Sequence, residues 1–161
     1  MPVTALTFRP ARVADLVHLV SMLADDPLGA ARECLTEPLA PAYADAFAAI
    51  SNDPNNELVV ACREDCVAGM LQMTFIPYLT HQGAWRALIE GVRVRKDCRS
   101  QGIGKALFAW AIERARQRDC RIVQLTTDKT RPALRFYQRL GFVASHEGMK
   151  LHLQGPRTTQ R

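Results

Sequence analysis

The sequence predicts a mixed α/β domain, a sheet with helices on both faces, and three observations carry that prediction. The apolar runs "ELVVACRE" and "CVAGMLQMTFI" flank a polar turn and read as neighbouring antiparallel strands. In "IGKALFAWAIERARQR", Ile103, Leu107, Trp110 and Ala111 recur at helical spacing. The second half alternates strand, helix, strand, helix, strand, an order that lays helices over a sheet. With 161 residues and 48% hydrophobic composition, one domain over residues 1–153 can bury a full core, and the tail 154–161 is expected to fray.

Taken in order, "VTALTFRPA" alternates as a first strand. "ARVADLVHLVSMLA" then repeats Val13, Leu16, Val17, Val20 and Leu23 at helical spacing, and "DDPLG" stops that helix. A short helix is expected at "YADAFAAI", followed by the strand pair and by a longer strand, "AWRALIEGVRVR". The next helix collects Arg114, Arg116 and Arg118 toward its C-terminal end, where cations suit the helix dipole. "RIVQLTT" is a β-branched strand, and "RPALRFYQRLG" reads as a helix with Pro132 near its first turn and Gly141 as its stop. "FVASHEGMKLHL" closes the chain as an expected hairpin.

Charge and cysteine usage narrow the function classes. A formal charge of +5 tilts the chain toward anionic partners. The basic residues accompany no nucleic-acid-binding signature, so no nucleic-acid partner is expected. No apolar run approaches a membrane span and "MPVTALTFRPARVADL" lacks a secretory pattern, so a soluble, cytoplasmic protein without a membrane partner is expected. The five cysteines form no CxxC pair and the four histidines are scattered, so reduced thiols and no metal are expected. Cys62 and Cys66 flank the turn "RED", but a disulfide there is not expected in a cytosolic setting.

The stretch "RKDCRSQGIGKALFAW" places two glycines and several cations where a helix must begin. Helix N-termini expose unpaired N–H groups and the positive end of the dipole, and glycines there let an anion approach. Arg99, Gln101, Gly102, Ile103, Gly104 and Lys105 therefore read as an anion cradle, or alternatively as a tight strand-to-helix turn. A P-loop is excluded because Arg99 stands where its first Gly belongs and Ala106 follows Lys105. A dinucleotide fingerprint fails at Leu107.

At these residues the chain resembles the GNAT superfamily of N-acetyltransferases, whose motif is Arg/Gln-x-x-Gly-x-Gly/Ala between a long strand and a helix. "RSQGIG" (99–104) matches it, and "ALRFYQRLGF" (133–142) matches the second signature, A-x-x-F-Y-x-x-L-G-F. The resemblance covers nearly the whole chain. It implies a mostly antiparallel sheet with a splayed central strand pair, and acetyl-coenzyme A as acyl donor. It also implies main-chain contacts from Val92 and Val94 to the pantetheine arm, and phosphate contacts from residues 99–105. Relatives often carry Asn seven residues before the Tyr, where this chain has Thr130.

Acetyl transfer to an amine needs a neutral amine, a stabilised oxyanion and a proton for the leaving thiolate. Glu90, in a regular strand, shares the face of Val92 and Val94, whereas a bulge, common next to active sites, changes that facing. It is either the base that similar proteins place here or a surface or ion-paired carboxylate. Tyr137 is either the acid beside the coenzyme sulfur, as the resemblance implies, or part of an apolar helix face with Phe136 and Leu140. Asp25, Asp26, Glu33 and Glu37 either attract a cationic amine or solvate helix ends and loops. The expected activity is direct transfer from acetyl-coenzyme A to a small-molecule, peptide or protein amine in a ternary complex. The alternative is a non-catalytic acyl-coenzyme A sensor or partner-binding domain. The resemblance also implies a homodimer.

Overall fold

The computed structural model of the chain describes residues 5–153. The expected fraying of residues 154–161, and the start of the first expected strand at Val3, lie outside the described residues. Two compact units divide the chain, the first ending at Leu125 and the second beginning at Thr126.

The first unit runs β1 (Thr7–Pro10), a 3₁₀ turn (Val13–Asp15), α1 (Leu16–Ala24), α2 (Pro27–Ala30), α3 (Pro41–Asn52), β2 (Asn56–Arg63) and β3 (Cys66–Pro77). It continues through the short turn α4 (Thr80–Gly83), β4 (Trp85–Val94), a 3₁₀ turn (Lys96–Cys98), α5 (Ile103–Gln117) and β5 (Cys120–Leu125). The strands form one sheet in the order β1-β2-β3-β4-β5, antiparallel until β5 joins β4 in parallel. A parallel neighbour needs a crossover, and α5 supplies it.

Local chemistry accounts for the junctions. Glu64 and Asp65 both have positive φ (51° and 47°), the two-residue turn whose twist suits a hairpin. Arg63 therefore pairs with Cys66 and Cys62 with Val67, and all five cysteines are free thiols. Asp26 caps α2 by accepting from the Gly29 N–H at 2.7 Å.

Helices cover both faces of the sheet. On one, α5 buries Ile103, Leu107, Phe108, Ala111 and Ala115. Here Gly69 is needed for close approach, since a Cβ on it meets Leu107 Cδ1 and the Arg93 carbonyl oxygen at 3.0 Å. Trp110 is only half-buried, stacked on Phe8 at 5.8 Å between ring centroids. On the other face, Leu19 and Met22 of α1 pack with Val60, Cys62, Val67 and Met70.

The expected α1 stripe needs correction at its start. Val13 and Val17 are 68% and 57% exposed, whereas Leu19, Val20 and Met22 are buried. The 3₁₀ turn over Val13–Asp15 winds more tightly than an α-helix and shifts the phase of α1 after it. That turn instead buries Asp15, which accepts from Arg9 Nη1 at 2.7 Å and from the Arg12 N–H at 2.7 Å.

In the second unit α6 (Leu134–Arg139) ends in a Schellman arrangement. Gly141 has φ +92°, its N–H donates to the Gln138 carbonyl, and the Phe142 N–H donates to that of Tyr137. Pro132 precedes this helix rather than opening its first turn. The expected hairpin over "FVASHEGMKLHL" is not formed: no residue from 142 to 153 is in a strand, and Val143, Met149, Leu151 and Leu153 are exposed. A two-residue apolar period becomes a strand only where another backbone takes its hydrogen bonds, and among its described residues this unit contains no strand to do so.

Candidate active site

β4 is paired unequally along its two edges. β3 accompanies it from Trp85 to Val94, but β5 pairs only with Trp85–Ile89. From Glu90 onward no strand among the described residues pairs with β4 on its β5 side, as a splayed strand pair requires, and β4 runs directly into the glycine loop.

A bulge sits where the two strands part. Gln72 pairs with Glu90 and Met70 with Arg93, so Leu71 alone opposes Gly91 and Val92. Gly91 takes φ +59°, the glycine-dependent form of such a bulge. The extra residue resets the alternation and corrects the regular-strand expectation for Glu90. Its side chain shares a face with Gln72, Met70 and Arg93, on the α1 side, while Val92 and Val94 lie on the α5 side with Ile89.

The loop after β4 is shaped by backbone conformation and by its own side chains. Ser100 and Gly102 have φ +62° and +79°, and the first α5 bond runs from the Ala106 N–H to the Gly102 carbonyl. The preceding N–H groups of Ile103, Gly104 and Lys105 thus have no place in the helical ladder. A Cβ on Gly102 meets no protein atom within 4 Å, so space is open in front of these donors. Ile103 turns its side chain into the core, and Lys105 is exposed. Gln101 braces the turn, accepting from Arg63 and donating to the Asp97 carbonyl at 2.9 Å. A depression of ≈ 300 Å³ beside the loop is lined by Arg63, Arg95 and Gln101 among others. The β4 edge that β5 leaves unpaired and the unpaired N–H groups fit an extended, phosphorylated ligand.

Three arginines in and beside the loop are already engaged. Arg99 donates to Asp25 and, through Nε, to the Val94 carbonyl at 3.2 Å. Arg93 reaches the Val92 carbonyl at 2.8 Å and pairs with Asp26 at 3.4 Å. Arg95 holds Asp97 below the usual carboxylate range. Of the four acidic residues singled out near α1, Asp25 and Asp26 thus serve arginines, and Glu33 accepts from the Tyr43 hydroxyl at 3.0 Å. Glu37 is exposed.

Tyr137 lies on α6 in the second unit, half-buried, with its ring 5.5 Å from Phe136 and 6.3 Å from Phe142. Thr130 folds back on Asp128, donating from its backbone N–H and its hydroxyl. Among the described residues no group of His, Cys, Asp and Glu is arranged to hold a metal, and no helix is long and apolar enough to cross a membrane.

Sequence reasoning passed over Asn56, Gln72, Thr74 and Arg86. All four lie on the Glu90 face, and isolated polar residues in strands carry no motif. Arg86 has its guanidinium carbon 4.9 Å from the centroid of the Tyr78 ring, and its Nε is buried without a hydrogen-bond partner.

A strand pair that parts above a glycine-opened helix defines a class, and the comparisons agree with it. The model of the acetyltransferase (GNAT) family matches residues 24–142, so the chain belongs to that family and with it to the acetyl-coenzyme A-dependent acyltransferases. It is 39% identical over 106 residues to the aminoalkylphosphonate N-acetyltransferase of Salmonella typhimurium, covering 65% of this chain and 68% of that one. It is 34% identical over 87 residues to the glucosamine 6-phosphate N-acetyltransferase of Trypanosoma brucei brucei, covering 54% and 58% of the two chains. A crystal structure described as a transcriptional regulator from Bacillus halodurans matches with TM-score 0.89 at 57% identity, covering 92% of this chain and 99% of that one.

Proposed function

We propose that this protein transfers the acetyl group of acetyl-coenzyme A to the primary amine of a small molecule by direct attack in a ternary complex. The observation that carries the reading is the end of β4–β5 pairing at Ile89, after which β4 runs on from Glu90 to Val94 and leads from a carboxylate to the unpaired N–H groups of the glycine loop. Val92 and Val94 offer main-chain groups to the pantetheine arm. Residues 99–105 hold the phosphates, with Arg99 and Lys105 adding charge. The bound thioester supplies the activated carbonyl. Glu90 accepts the amine proton, a strand N–H near Val92 faces the developing oxyanion, and Tyr137 returns a proton to the leaving sulfur.

The relatives' names support a narrower choice of acceptor, an amine that carries a phosphorus oxyanion. An aminoalkylphosphonate and glucosamine 6-phosphate both join a primary amine to a phosphorus oxyanion. Arg86, on the Glu90 face with a buried Nε lacking a partner, suits such an anion. The protein acts in the cytoplasm as a homodimer; light scattering that finds only an 18.0 kDa species overturns the dimer.

The test has two stages. Acetyl-coenzyme A, but not ATP or NAD, stabilises the fold, by about 2.7 kcal/mol at one hundred times Kd. Thiol release is then followed with primary amines, including 2-aminoethylphosphonate and glucosamine 6-phosphate. One observation favours a second reading, a domain that binds acyl-coenzyme A to regulate a partner: the relative at 57% identity is described as a transcriptional regulator. Coenzyme binding without thiol release from any amine decides for that reading.

A further inference from the structure

A chain of polar side chains runs across the sheet face toward Glu90, and its orientation follows from one end. Asp53, just before β2, accepts from the Asn55 N–H at 2.8 Å and from Asn56 Nδ2. These bonds, the Asn55 N–H first and the Asn56 amide second, hold its carboxyl below the usual range, so near neutral pH it only accepts. The NH₂ side of Asn56 must therefore face Asp53. Its Oδ1 is turned the other way and accepts from Gln72 Nε2 at 3.1 Å and Thr74 Oγ1 at 2.9 Å. An acceptor oxygen selects the NH₂ side of Gln72, which turns Gln72 Oε1 away from Asn56. Gln72 stands directly opposite Glu90 in the β3–β4 ladder, on the same face. Facing residues of an antiparallel pair have Cβ atoms about 5 Å apart.

Glu90 and Gln72 thus present acceptors of different kinds, a carboxylate and an amide carbonyl, from facing positions of the ladder, and the Gln72 amide is oriented through Asn56 and Asp53. The complementary ligand is a cation with several N–H donors. We propose that Gln72 Oε1 is the second docking point of the acceptor ammonium, with Glu90 the first. One N–H bond of the ammonium breaks as an O–H bond forms on Glu90, and the neutral amine keeps its lone pair. A remaining N–H stays on Gln72 Oε1, which orients that lone pair for attack. A neutral carbonyl suits this position because a second carboxylate stabilises the ammonium and retains its proton.

The assignment rests on the amine-acceptor reading, and thiol-release kinetics on the whole protein separate the two. Gln72→Leu raises KM for the best of the tested amines about tenfold. It leaves KM for acetyl-coenzyme A within twofold of the parent. Gln72→Glu keeps an acceptor oxygen, so its amine KM stays within about threefold of the parent while kcat falls about tenfold. If the parent protein acetylates an amine and Gln72→Leu leaves the amine KM unchanged, the assignment is wrong and the activity stands. If Gln72→Leu does not fold, an unaltered kcat in Gln72→Glu overturns the assignment. No thiol release by the parent with any amine removes the reading and the assignment together.

Discussion

Arg99 donates through Nη2 to Oδ2 of Asp25 at 2.6 Å, so an arginine proposed above to bind the coenzyme phosphates is held by a carboxylate at the end of α1. A phosphate must compete with that carboxylate. Exposed ion pairs contribute about 0.2–1 kcal/mol. Asp25→Asn is therefore expected to lower the Kd for acetyl-coenzyme A by up to about fivefold, and Arg99→Ala to raise it. Calorimetric titrations at two salt concentrations check this, because added salt narrows the difference between parent and Asp25→Asn.

Gly102 takes φ +79° at the start of α5, and a Cβ there meets no protein atom within 4 Å. Gly102→Ala consequently costs backbone strain rather than a clash, about 1–2 kcal/mol. For a chain of this size each kcal/mol lowers Tm by about 2–4 °C. Melting curves with and without acetyl-coenzyme A separate that strain from interference with the approaching phosphate.

The two proposed proton carriers predict different signatures. Tyr137→Phe lowers kcat about 10²-fold or more while coenzyme affinity is retained. An unchanged kcat removes Tyr137 from the mechanism. Glu90→Gln loses most activity at neutral pH. Its deficit shrinks as pH rises toward the acceptor amine's own pKa, because solution then supplies the neutral amine. A deficit that stays constant with pH denies Glu90 the base role.

Asp15 is buried, and the Arg9 guanidinium, aided by the Arg12 N–H and opposed by burial, holds its carboxyl below the usual range. A depressed native pKa means that the stabilisation is complete above the ordinary Asp value of about 3.9 and is lost as pH falls below it toward the native value. Asp15→Asn is expected to cost about 2 kcal/mol at neutral pH. It also flattens the decline in stability below about pH 4. Urea midpoints across pH measure both effects.

The strands and α5 were legible because apolar periods of two and 3.6 residues are direct imprints of burial. The glycine loop was legible because a left-handed residue at a helix start leaves few choices besides Gly. The facing of Glu90 was not. In "IEGVRV" a glycine suits a regular strand or a bulge equally, and only pairing with Leu71 decides which face the carboxylate takes. The ion pair of Arg99 with Asp25 and the bonds joining Asp53, Asn56 and Gln72 link residues from separate elements, which no local pattern encodes. "FVASHEGMKLHL" failed for the converse reason: its alternation is real, but a strand also needs a neighbour.

The single extra residue at Gly91 bears on how such a protein diversifies over generations. Upstream of it, Arg86, Leu88 and Glu90 line up with Gln72 and Thr74; downstream, Val92 and Val94 turn toward the helix that follows the glycines. Under the proposed function, a lineage can exchange residues in the first set and try new acceptors while the second set is inherited intact. Loss of one residue between Glu90 and Arg93 abolishes that independence, because it rotates every upstream side chain to the opposite surface and drives a carboxylate into the hydrocarbon under α5.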